Sequence, residues 1–315
     1  MKSITLVIAT YNSVNTLKRT LESVNSLEPV HGVETQVVVI NNNSTDKTDE
    51  FLNAYNCQFQ FLKLFQINQG QNYAKNTLFS EKVKLGDLVV FTDDDVILPP
   101  HFLQKYADAA KQQSNFDIFG GTVEALWPSN PPPNMLRGID VAVAFAVTPE
   151  EKGYKTGEVS PTKMHGPNFA IRRRIFDAGF KFNESVGPNG SNYMMGSETE
   201  LLYRLKNHGF RAFFDSLNAV QHIIREKQLT DDWIASRAHK AGRSLIMHQA
   251  RQGQKILSSE LFGYPRWAVK EKLLLKAKLV LAPKGHVDYY RLLWRYNHIA
   301  GYCAEYKKKA FLDFL

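Results

Sequence analysis

The sequence predicts an α/β fold with a mostly parallel sheet, and three observations support this. Short apolar runs typical of buried strands alternate with segments whose apolar residues recur at helical spacing. Polar clusters directly follow several of the apolar runs, and helical spacing dominates the C-terminal part of the chain. Because parallel strands are covered by helices on both faces, they are expected to be apolar throughout, as these runs are.

The elements follow in a regular order. The predicted strands are residues 4–9, 37–40, 61–64 and 88–91, and the predicted helices are residues 14–27, 46–55, 73–83, 102–112 and 198–207, with further helices from residue 229 onward. Each predicted helix repeats its apolar residues every three to four positions, as helices that pack on a sheet do. We therefore expect an α/β domain in residues 1–225, with halves 1–98 and 99–225, and a helical region in residues 226–315.

The composition is that of a folded protein. Of its 315 residues 43% are hydrophobic and 12% are aromatic, which fills a sizeable core and excludes a disordered chain. The two cysteines, Cys57 and Cys303, provide neither a disulfide framework nor a cysteine metal cluster and suit a reducing compartment. The first apolar run is too short for a signal peptide, and no stretch reaches the about 20 apolar residues of a spanning helix. We expect a cytoplasmic protein, either soluble or peripheral at the inner face of the plasma membrane.

The positive charge is concentrated in the C-terminal region. Residues 225–315 carry 18 Lys and Arg against 8 Asp and Glu, a net charge of +10, whereas residues 1–224 carry 21 against 23, a net charge of −2. Within residues 264–315 lysines are interspersed with Leu, Trp and Tyr, which suits a helix lying on an anionic membrane surface. The alternative is a helical subdomain whose basic face is solvated. The acidic balance of the main domain argues against nucleic acid as a partner.

Three polar clusters follow predicted strands where those strands end. They are Thr10-Tyr11-Asn12, the run from Asn41 to Asp46, and Asp93-Asp94-Asp95. Ligands of parallel sheets bind at the carboxyl ends of the strands, so the three clusters are expected to converge on one site.

The three adjacent aspartates predict a metal site. Neighbouring carboxylates repel one another, and the end of a buried strand is a costly place for them. Mg²⁺ or Mn²⁺ prefers such oxygen ligands and also bridges phosphate oxygens. The alternative is a solvated acidic turn or a helix cap, which the preceding apolar strand disfavours.

Together with Asn68-Gln69-Gly70 and Ala74-Lys75-Asn76, these clusters resemble family 2 glycosyltransferases of the GT-A fold, over roughly residues 3–250. The resemblance implies a nucleotide-binding half in residues 1–98 and an acceptor half in residues 99–225. It also implies Mn²⁺ or Mg²⁺ as cofactor, a nucleotide-sugar donor (a UDP-sugar by default) and a saccharide or lipid-linked saccharide acceptor. The family usually has Asp at the position of Asn41 and Arg at that of Lys75.

The resemblance also assigns the binding residues. Those implied to bind the donor or line the site are Thr10, Tyr11, Asn12, Asn41, Asn42, Lys75, Asp93, Asp94 and Asn168. Asn168 lies in a separate block, Gly166-Pro167-Asn168, that leads to the acceptor site in the family. Asp95 and His222 are implied to hold the metal, although a lone histidine at a strand end is often structural.

A second acidic block, Gly196-Ser197-Glu198-Thr199-Glu200, resembles the one that supplies the family's catalytic base. It implies that Glu198 deprotonates the acceptor hydroxyl in an inverting transfer, with Glu200 supporting the site. The alternative is that these acids only stabilise a helix N-terminus.

Other functions fit the motifs less well. A sugar nucleotidyltransferase would carry a glycine-rich basic loop where Thr10-Tyr11-Asn12-Ser13 stands, and a dinucleotide oxidoreductase would carry Gly-x-Gly-x-x-Gly there. The Gln-x-x-Arg-Trp block of processive members is absent from the sequence, which favours single additions. A catalytically inactive, nucleotide-sugar-binding homologue stays open, since Asn41 and Glu198 depart from the usual pattern.

Overall fold

The predicted alternation of strands and helices is present in the computed structural model, which describes residues 1–80, 83–149, 154–187, 195–256 and 258–308. The first strands are β1 (Ser3–Thr10), β2 (Glu34–Asn41), β3 (Gln60–Phe65) and β4 (Leu88–Asp93), and helices α1 (Val14–Asn25), α2 (Thr48–Ala54) and α3 (Gln71–Asn76) connect them. The strands pair in parallel in the order β3-β2-β1-β4. Helix α3 is shorter than predicted because a 3-10 turn, Thr77–Phe79, follows it, and residues 81–82 of that prediction lie outside the described residues.

The second half of the sheet is mixed. Its elements are β5 (Val96–Ile97), α4 (Phe102–Gln112), β6 (Ile118–Leu126), α5 (Pro133–Gly138), α6 (Val141–Phe145), β7 (Gly157–Val159), β8 (Phe169–Arg172), α7 (Arg173–Asp177), α8 (Ser197–Asn207) and β9 (Ala212–Ile223). Strand β8 is antiparallel to both β4 and β6, whereas β9 is parallel to β6. Strands β5 and β7 pair antiparallel with β9, which completes a sheet of nine strands within the described part of the chain. The predicted α/β fold is confirmed.

Aromatic stacking joins the two halves of the sheet. Phe91 of β4 stacks on Phe169 of β8 with ring centroids 4.8 Å apart, and Phe182 meets Phe91 edge-on at 5.4 Å. All three rings are buried in the main core. Because well-packed aromatic side chains resist displacement, the carboxyl end of β4 is held firmly where the polar clusters lie.

The chain divides into two compact units. The first comprises Met1–Leu126, Ala146–Asn192 and Gly196–Ile223, and the second comprises Trp127–Phe145, Tyr193–Met195 and Ile224–Leu315. Helices α5 and α6 therefore belong to the second unit, although they precede residue 225. The reason is packing, since Phe145 stacks on Trp233 at 5.5 Å and a Cβ on Gly138 would lie only 2.6 Å from the Cβ of Tyr290.

The second unit is mainly helical, as predicted. It contains α9 (Asp231–Arg251), the hairpin strands β10 (Glu260–Leu261) and β11 (Tyr264–Pro265), α10 (Arg266–Leu281) and α11 (Val287–Lys308). Helices α9 and α11 cross at two glycines. A Cβ on Gly242 would lie 1.8 Å from the carbonyl oxygen of His298, and one on Gly301 would lie 1.9 Å from that of His239. No described helix has both the length and the hydrophobicity of a membrane span.

Candidate active site

Asn12 ties the end of β1 to the loop after β2. It adopts φ = +49°, a left-handed conformation that Asn tolerates, so the chain turns sharply at this point. Its Oδ1 accepts hydrogen bonds from the backbone N–H of Thr45 at 2.7 Å and of Asp46 at 3.3 Å, and its own N–H donates to Ser44 Oγ at 3.1 Å. The two strand ends that were predicted to converge are thus joined.

Asn42 holds the loop that contains Asn68-Gln69-Gly70. Its Nδ2 donates to the carbonyls of Gln66 and Asn68 at 3.1 and 2.7 Å, and its Oδ1 accepts from the N–H of Gly70 at 2.7 Å. The backbone N–H of Asn42 donates to the carbonyl of Thr10 at 2.9 Å. Asn42 therefore links the end of β2 to the end of β1 and to the loop that follows β3.

The residues next to Asn12 and Asn42 differ in their exposure to solvent. Asn41 is buried, donates to Asp49 Oδ1 at 3.2 Å and accepts from the N–H of Ser44 at 3.0 Å. Thr10 is also buried, whereas Tyr11 is 45% exposed and its hydroxyl accepts from Gln69 Nε2 at 2.9 Å. Tyr11 is thus the residue of this group whose ring faces solvent.

The acidic cluster lies where β4 ends and the chain turns into β5. Burial raises the pKa of Asp93 to about 6, an effect that Lys75 opposes and that the charges of Glu198 and Asp95 reinforce. Burial, followed by the charge of Asp95, raises the pKa of Asp94 to about 7. These carboxyl groups therefore keep a proton up to a higher pH than ordinary aspartates do.

The pairing of β5 with β9 brings His222 beside Asp95. His222 lies opposite Val96 in this pair, and its Nε2 is 3.1 Å from Asp95 Oδ1. The backbone N–H of Ile223 donates to the carbonyl of Asp95 at 2.7 Å, which fixes the register. The described residues contain no group of three or more His, Cys, Asp or Glu arranged to hold a metal. A carboxylate oxygen beside an imidazole nitrogen nevertheless forms a donor pair that fits Mn²⁺ or Mg²⁺, if a substrate supplies further oxygens.

Lys75 pairs with the predicted base. It lies on α3, is 2% exposed, and its Nζ is 2.5 Å from Oε1 of Glu198 in the first turn of α8. The same Nζ lies 5.3 Å from the ring centroid of Phe182 and 5.9 and 6.0 Å from those of Phe169 and Phe91. Aromatic faces and a carboxylate together compensate a buried ammonium group. Lys75, expected at the donor, is here the counter-ion of Glu198.

Residues that the sequence analysis did not select hold Glu198 in place. Ser197 donates a hydrogen bond to Asn72 Oδ1, and Asn72 in turn donates to the carbonyls of Asn183 and Val186 at 2.7 and 2.9 Å. A Cβ on Gly166 would lie 3.1 Å from the Glu198 carboxyl carbon, so this glycine admits the carboxylate. A signal for Asn72 was present, since it precedes Lys75 by three residues and so shares its helix face.

Two other expected residues are engaged in the fold. Asn168 is fully buried, accepts from the hydroxyl of Tyr106 at 2.6 Å, and donates both amide hydrogens, to the carbonyls of Thr122 and Asn218 at 2.9 and 2.8 Å. This geometry gives no support to its predicted contact with a ligand. Glu200 accepts two hydrogen bonds from Arg204 at 2.8 and 3.0 Å, a pair within α8.

The nine-stranded sheet with polar clusters at its strand ends has the GT-A glycosyltransferase fold, and solved structures share it. The mannosyltransferase PcManGT from Pyrobaculum calidifontis, in complex with GDP-Man and Mn²⁺, superposes with a TM-score of 0.57 at 16% identity, over 95% of this chain and 86% of that one. Residues 1–349 of S. aureus TarS, in complex with UDP-GlcNAc, superpose with a TM-score of 0.55 at 16% identity, over 98% and 91% of the two chains.

The sequence identifies the family. The model of glycosyl transferase family 2 matches residues 5–180, more than half of the chain, so this protein belongs to that family. It is therefore a glycosyltransferase by family. No curated protein matches the sequence significantly. The family match includes the clusters on β1, β2 and β4, whereas Glu198 and His222 lie beyond it.

Proposed function

We propose that this protein is an inverting, metal-dependent glycosyltransferase that moves a single sugar from a nucleotide-diphosphate sugar to an acceptor hydroxyl. The observation that carries the proposal is the buried charge cluster at the ends of β4 and β9 and the start of α8. Asp93 there interacts electrostatically with Asp95, His222, Lys75 and Glu198. A cation-binding acidic group and a candidate base therefore lie within one small site.

We propose that the donor's nucleoside binds where β1 and β2 end, beside the loops that Asn12 and Asn42 hold together. The exposed ring of Tyr11, held through its hydroxyl by Gln69, offers a face on which a base can stack. Asn12 and Asn42 keep the surrounding loops rigid, which lowers the cost of ordering them around a ligand. The solved structures of similar fold contain GDP-Man and UDP-GlcNAc. A UDP-sugar, the family's commonest donor, is our default.

Asp95 and His222 are proposed to hold Mn²⁺ or Mg²⁺. When bound, such an ion stabilises the negative charge that develops on a departing diphosphate. The raised pKa values of Asp93 and Asp94 fit this role, because a nearby cation favours their ionised forms at neutral pH.

Glu198 is proposed as the general base. The acceptor oxygen forms a bond to the anomeric carbon while the bond from that carbon to the diphosphate breaks, and the hydroxyl proton passes to the Glu198 carboxylate. Attack on the face opposite the leaving group inverts the anomeric configuration. Lys75 holds the carboxylate in position before the acceptor arrives.

The acceptor is proposed to be a saccharide or a lipid-linked saccharide, in the synthesis of a cell-surface polysaccharide or glycolipid at the inner face of the plasma membrane. The support for this part is the basic C-terminal region and the absence of the processive block from the sequence.

A panel of UDP-, GDP- and dTDP-sugars tests the donor and the metal together. We expect one nucleotide class to raise the melting temperature of the protein in the presence of Mn²⁺ and to lose this effect with a chelator. If none of these nucleotide sugars stabilises the protein with Mn²⁺ present, the proposal is wrong.

One observation favours an alternative, a nucleotide-sugar-binding homologue without transferase activity. The Glu198 carboxylate is already engaged by the buried Lys75, so it is less available to an incoming hydroxyl than a carboxylate that faces solvent. Slow hydrolysis of the bound donor in the presence of Mn²⁺ would argue for the enzyme. Binding without any turnover, over a range of acceptors, would argue for the homologue.

A further inference from the structure

Helix α10 is apolar on two opposite faces. On one face Ala268 and Leu275 are buried in a cluster with Ile299 and Cys303 of α11. The residues of the other face are large, apolar and solvent-exposed, namely Trp267 (47% exposed), Leu273 (66%), Leu274 (52%), Val280 (78%) and Leu281 (84%). Single exposed apolar residues are ordinary, but a contiguous exposed group of this kind marks a surface that contacts something else.

The exposed residues form a continuous stripe. Leu273, Ala277 and Leu281 follow one another at four-residue spacing, which places them in a row along the helix. Leu274 and Val280 lie on either side of this row. Phe262, at the tip of the hairpin that precedes α10, is 86% exposed and adds a second apolar element to the same unit. We call α10 and Phe262 together the α10 surface.

Lysines border the stripe. Lys276 and Lys278 lie on opposite sides of it, Lys270 lies near its N-terminal end, and all three are exposed. The acidic residue of α10, Glu271, is engaged by Arg295 of α11. The α10 surface therefore combines an apolar centre with a positive border, in a region whose net charge is +10.

The charge distinguishes between possible occupants. A second copy of the chain would bring the same positive border against this one, and like charges in contact are unfavourable. The surface of an anionic bilayer instead offers phosphates to the lysines and acyl chains to the leucines. With 16 residues α10 is about 24 Å long, which suits a helix lying in the plane of the interface.

We propose that the α10 surface inserts into the interface of an anionic lipid bilayer, with the leucines and Phe262 at the acyl boundary and the lysines at the headgroups. Binding to vesicles needs neither donor nor acceptor, so its failure and the failure of the proposed transfer are separate results.

Co-sedimentation of the full chain with vesicles tests this surface. We expect binding to phosphatidylcholine vesicles that contain phosphatidylglycerol and little binding to phosphatidylcholine alone. The variant Leu273→Gln/Leu281→Gln should lower the affinity about tenfold for each leucine. The variant Lys270→Gln/Lys276→Gln/Lys278→Gln should lower it about a hundredfold, because each lysine near an anionic surface contributes about fivefold.

Matched controls lie in the first unit. Leu217 is 74% exposed there, so Leu217→Gln removes an equally exposed leucine away from α10. Lys47, Lys111 and Lys206 are exposed in that unit as well, and their triple change to Gln removes the same charge. Both controls should bind vesicles within about twofold of the unmodified protein.

Brominated acyl chains give an independent readout. They should quench the fluorescence of Trp267 in bound protein, and Trp267→Phe should lose this component. The proposal is overturned if the protein does not bind phosphatidylglycerol vesicles at an ionic strength of about 0.1 M. It is also overturned if the leucine variant binds as the unmodified protein does, or if the protein forms a dimer that the leucine variant dissolves.

Discussion

At the scale of single residues, the contact between Lys75 and Glu198 is a short ion pair that is largely buried. Their side chains are 2% and 15% exposed, and the two charged groups are 2.5 Å apart. Two charges removed from water to this degree depend on each other, because removal of either takes away a close opposite charge from the other. This pair therefore links the stability of the fold to the orientation of the proposed base.

The change Glu198→Gln tests the base. It keeps the size of the side chain and removes its ability to accept a proton, so we expect kcat to fall about 10²- to 10⁴-fold. Donor affinity, measured by calorimetry, should change little. The control is Glu200→Gln, which alters a neighbouring acid that binds Arg204 instead. Near-normal turnover by the Glu198 variant would refute the assignment.

The change Lys75→Met tests the counter-ion. It removes the nearby ammonium group of Lys75 from a largely buried carboxylate, so we expect the free energy of unfolding to fall by about 3 kcal/mol. Lys75→Arg should recover part of the loss, because it restores the charge. Lys63→Met is the matched control, since Lys63 pairs with an Asp49 that is half exposed. Such pairs contribute at most about 1 kcal/mol. Equal effects of the two methionine variants in urea unfolding would contradict the interpretation.

The change Asp94→Asn tests the electrostatic cost of the acidic cluster. Its pKa is raised from 3.8 to about 7, so between these values the folded protein binds more protons than the unfolded chain, and stability falls as pH rises. In the presence of a chelator we expect the variant to have a higher melting temperature than the unmodified protein at pH 8. At pH 4 the two melting temperatures should be close.

The control variant for this experiment is expected to change the stability at pH 8 in the opposite direction. A hydrogen bond from Lys63 lowers the pKa of Asp49, so Asp49→Asn should remove stability at pH 8 instead of adding it. A lower melting temperature for Asp94→Asn than for the unmodified protein at pH 8 would show that the ionised Asp94 carboxylate does not destabilise the folded protein.

At the scale of elements, the crossing of α9 and α11 depends on two glycines. Glycine in a helix interior costs about 1 kcal/mol relative to alanine, so Gly242→Ala would stabilise an isolated helix. Here the added Cβ would lie 1.8 Å from the carbonyl oxygen of His298, and the helices would have to separate. We expect a net loss of about 2 kcal/mol, visible as a lower melting temperature.

A control on the same helix separates propensity from packing. Ser236 is exposed on α9, so Ser236→Ala should be neutral or slightly stabilising. Gly301→Ala should resemble Gly242→Ala, because its Cβ would meet His239 in the same way. Stabilisation by either glycine change would contradict a close approach of the two helices at Gly242 and Gly301.

At the scale of the whole molecule, the chain leaves the first unit after β6, contributes α5 and α6 to the second unit, and then returns. Met135 of α5 and Phe145 of α6 are fully buried, and Phe145 stacks on Trp233. The sequence suggested a domain boundary at residue 225, and that boundary stays a prediction. A chain cut at residue 225 would expose the side chains of Met135 and Phe145.

We therefore expect a chain truncated to residues 1–225 to bind a hydrophobic dye and to aggregate. The matched control is the same truncation with residues 127–145 replaced by a glycine-serine linker, which removes the exposed apolar side chains and should be more soluble. If both truncated chains are equally soluble and monomeric, α5 and α6 do not need the second unit.

What the sequence determined by itself was local. Apolar runs and helical spacing predicted β1 to β4 and α1 to α4, because each run signals burial through its own period. The clusters at residues 10–12, 41–46 and 93–95 were predicted to meet, because parallel strands bring their carboxyl ends to one edge. Family motifs then indicated the class of enzyme.

Contacts between residues that are distant in the chain were decided only by the tertiary structure. The mixed pairing of β5 and β6 to β9 put His222 beside Asp95, and α8 met α3 so that Glu198 faces Lys75. The same folding used both amide hydrogens of Asn168 and placed α5 and α6 in the second unit. Periodicity records whether a residue is buried but not which partner buries it, and that choice depends on packing over the whole chain.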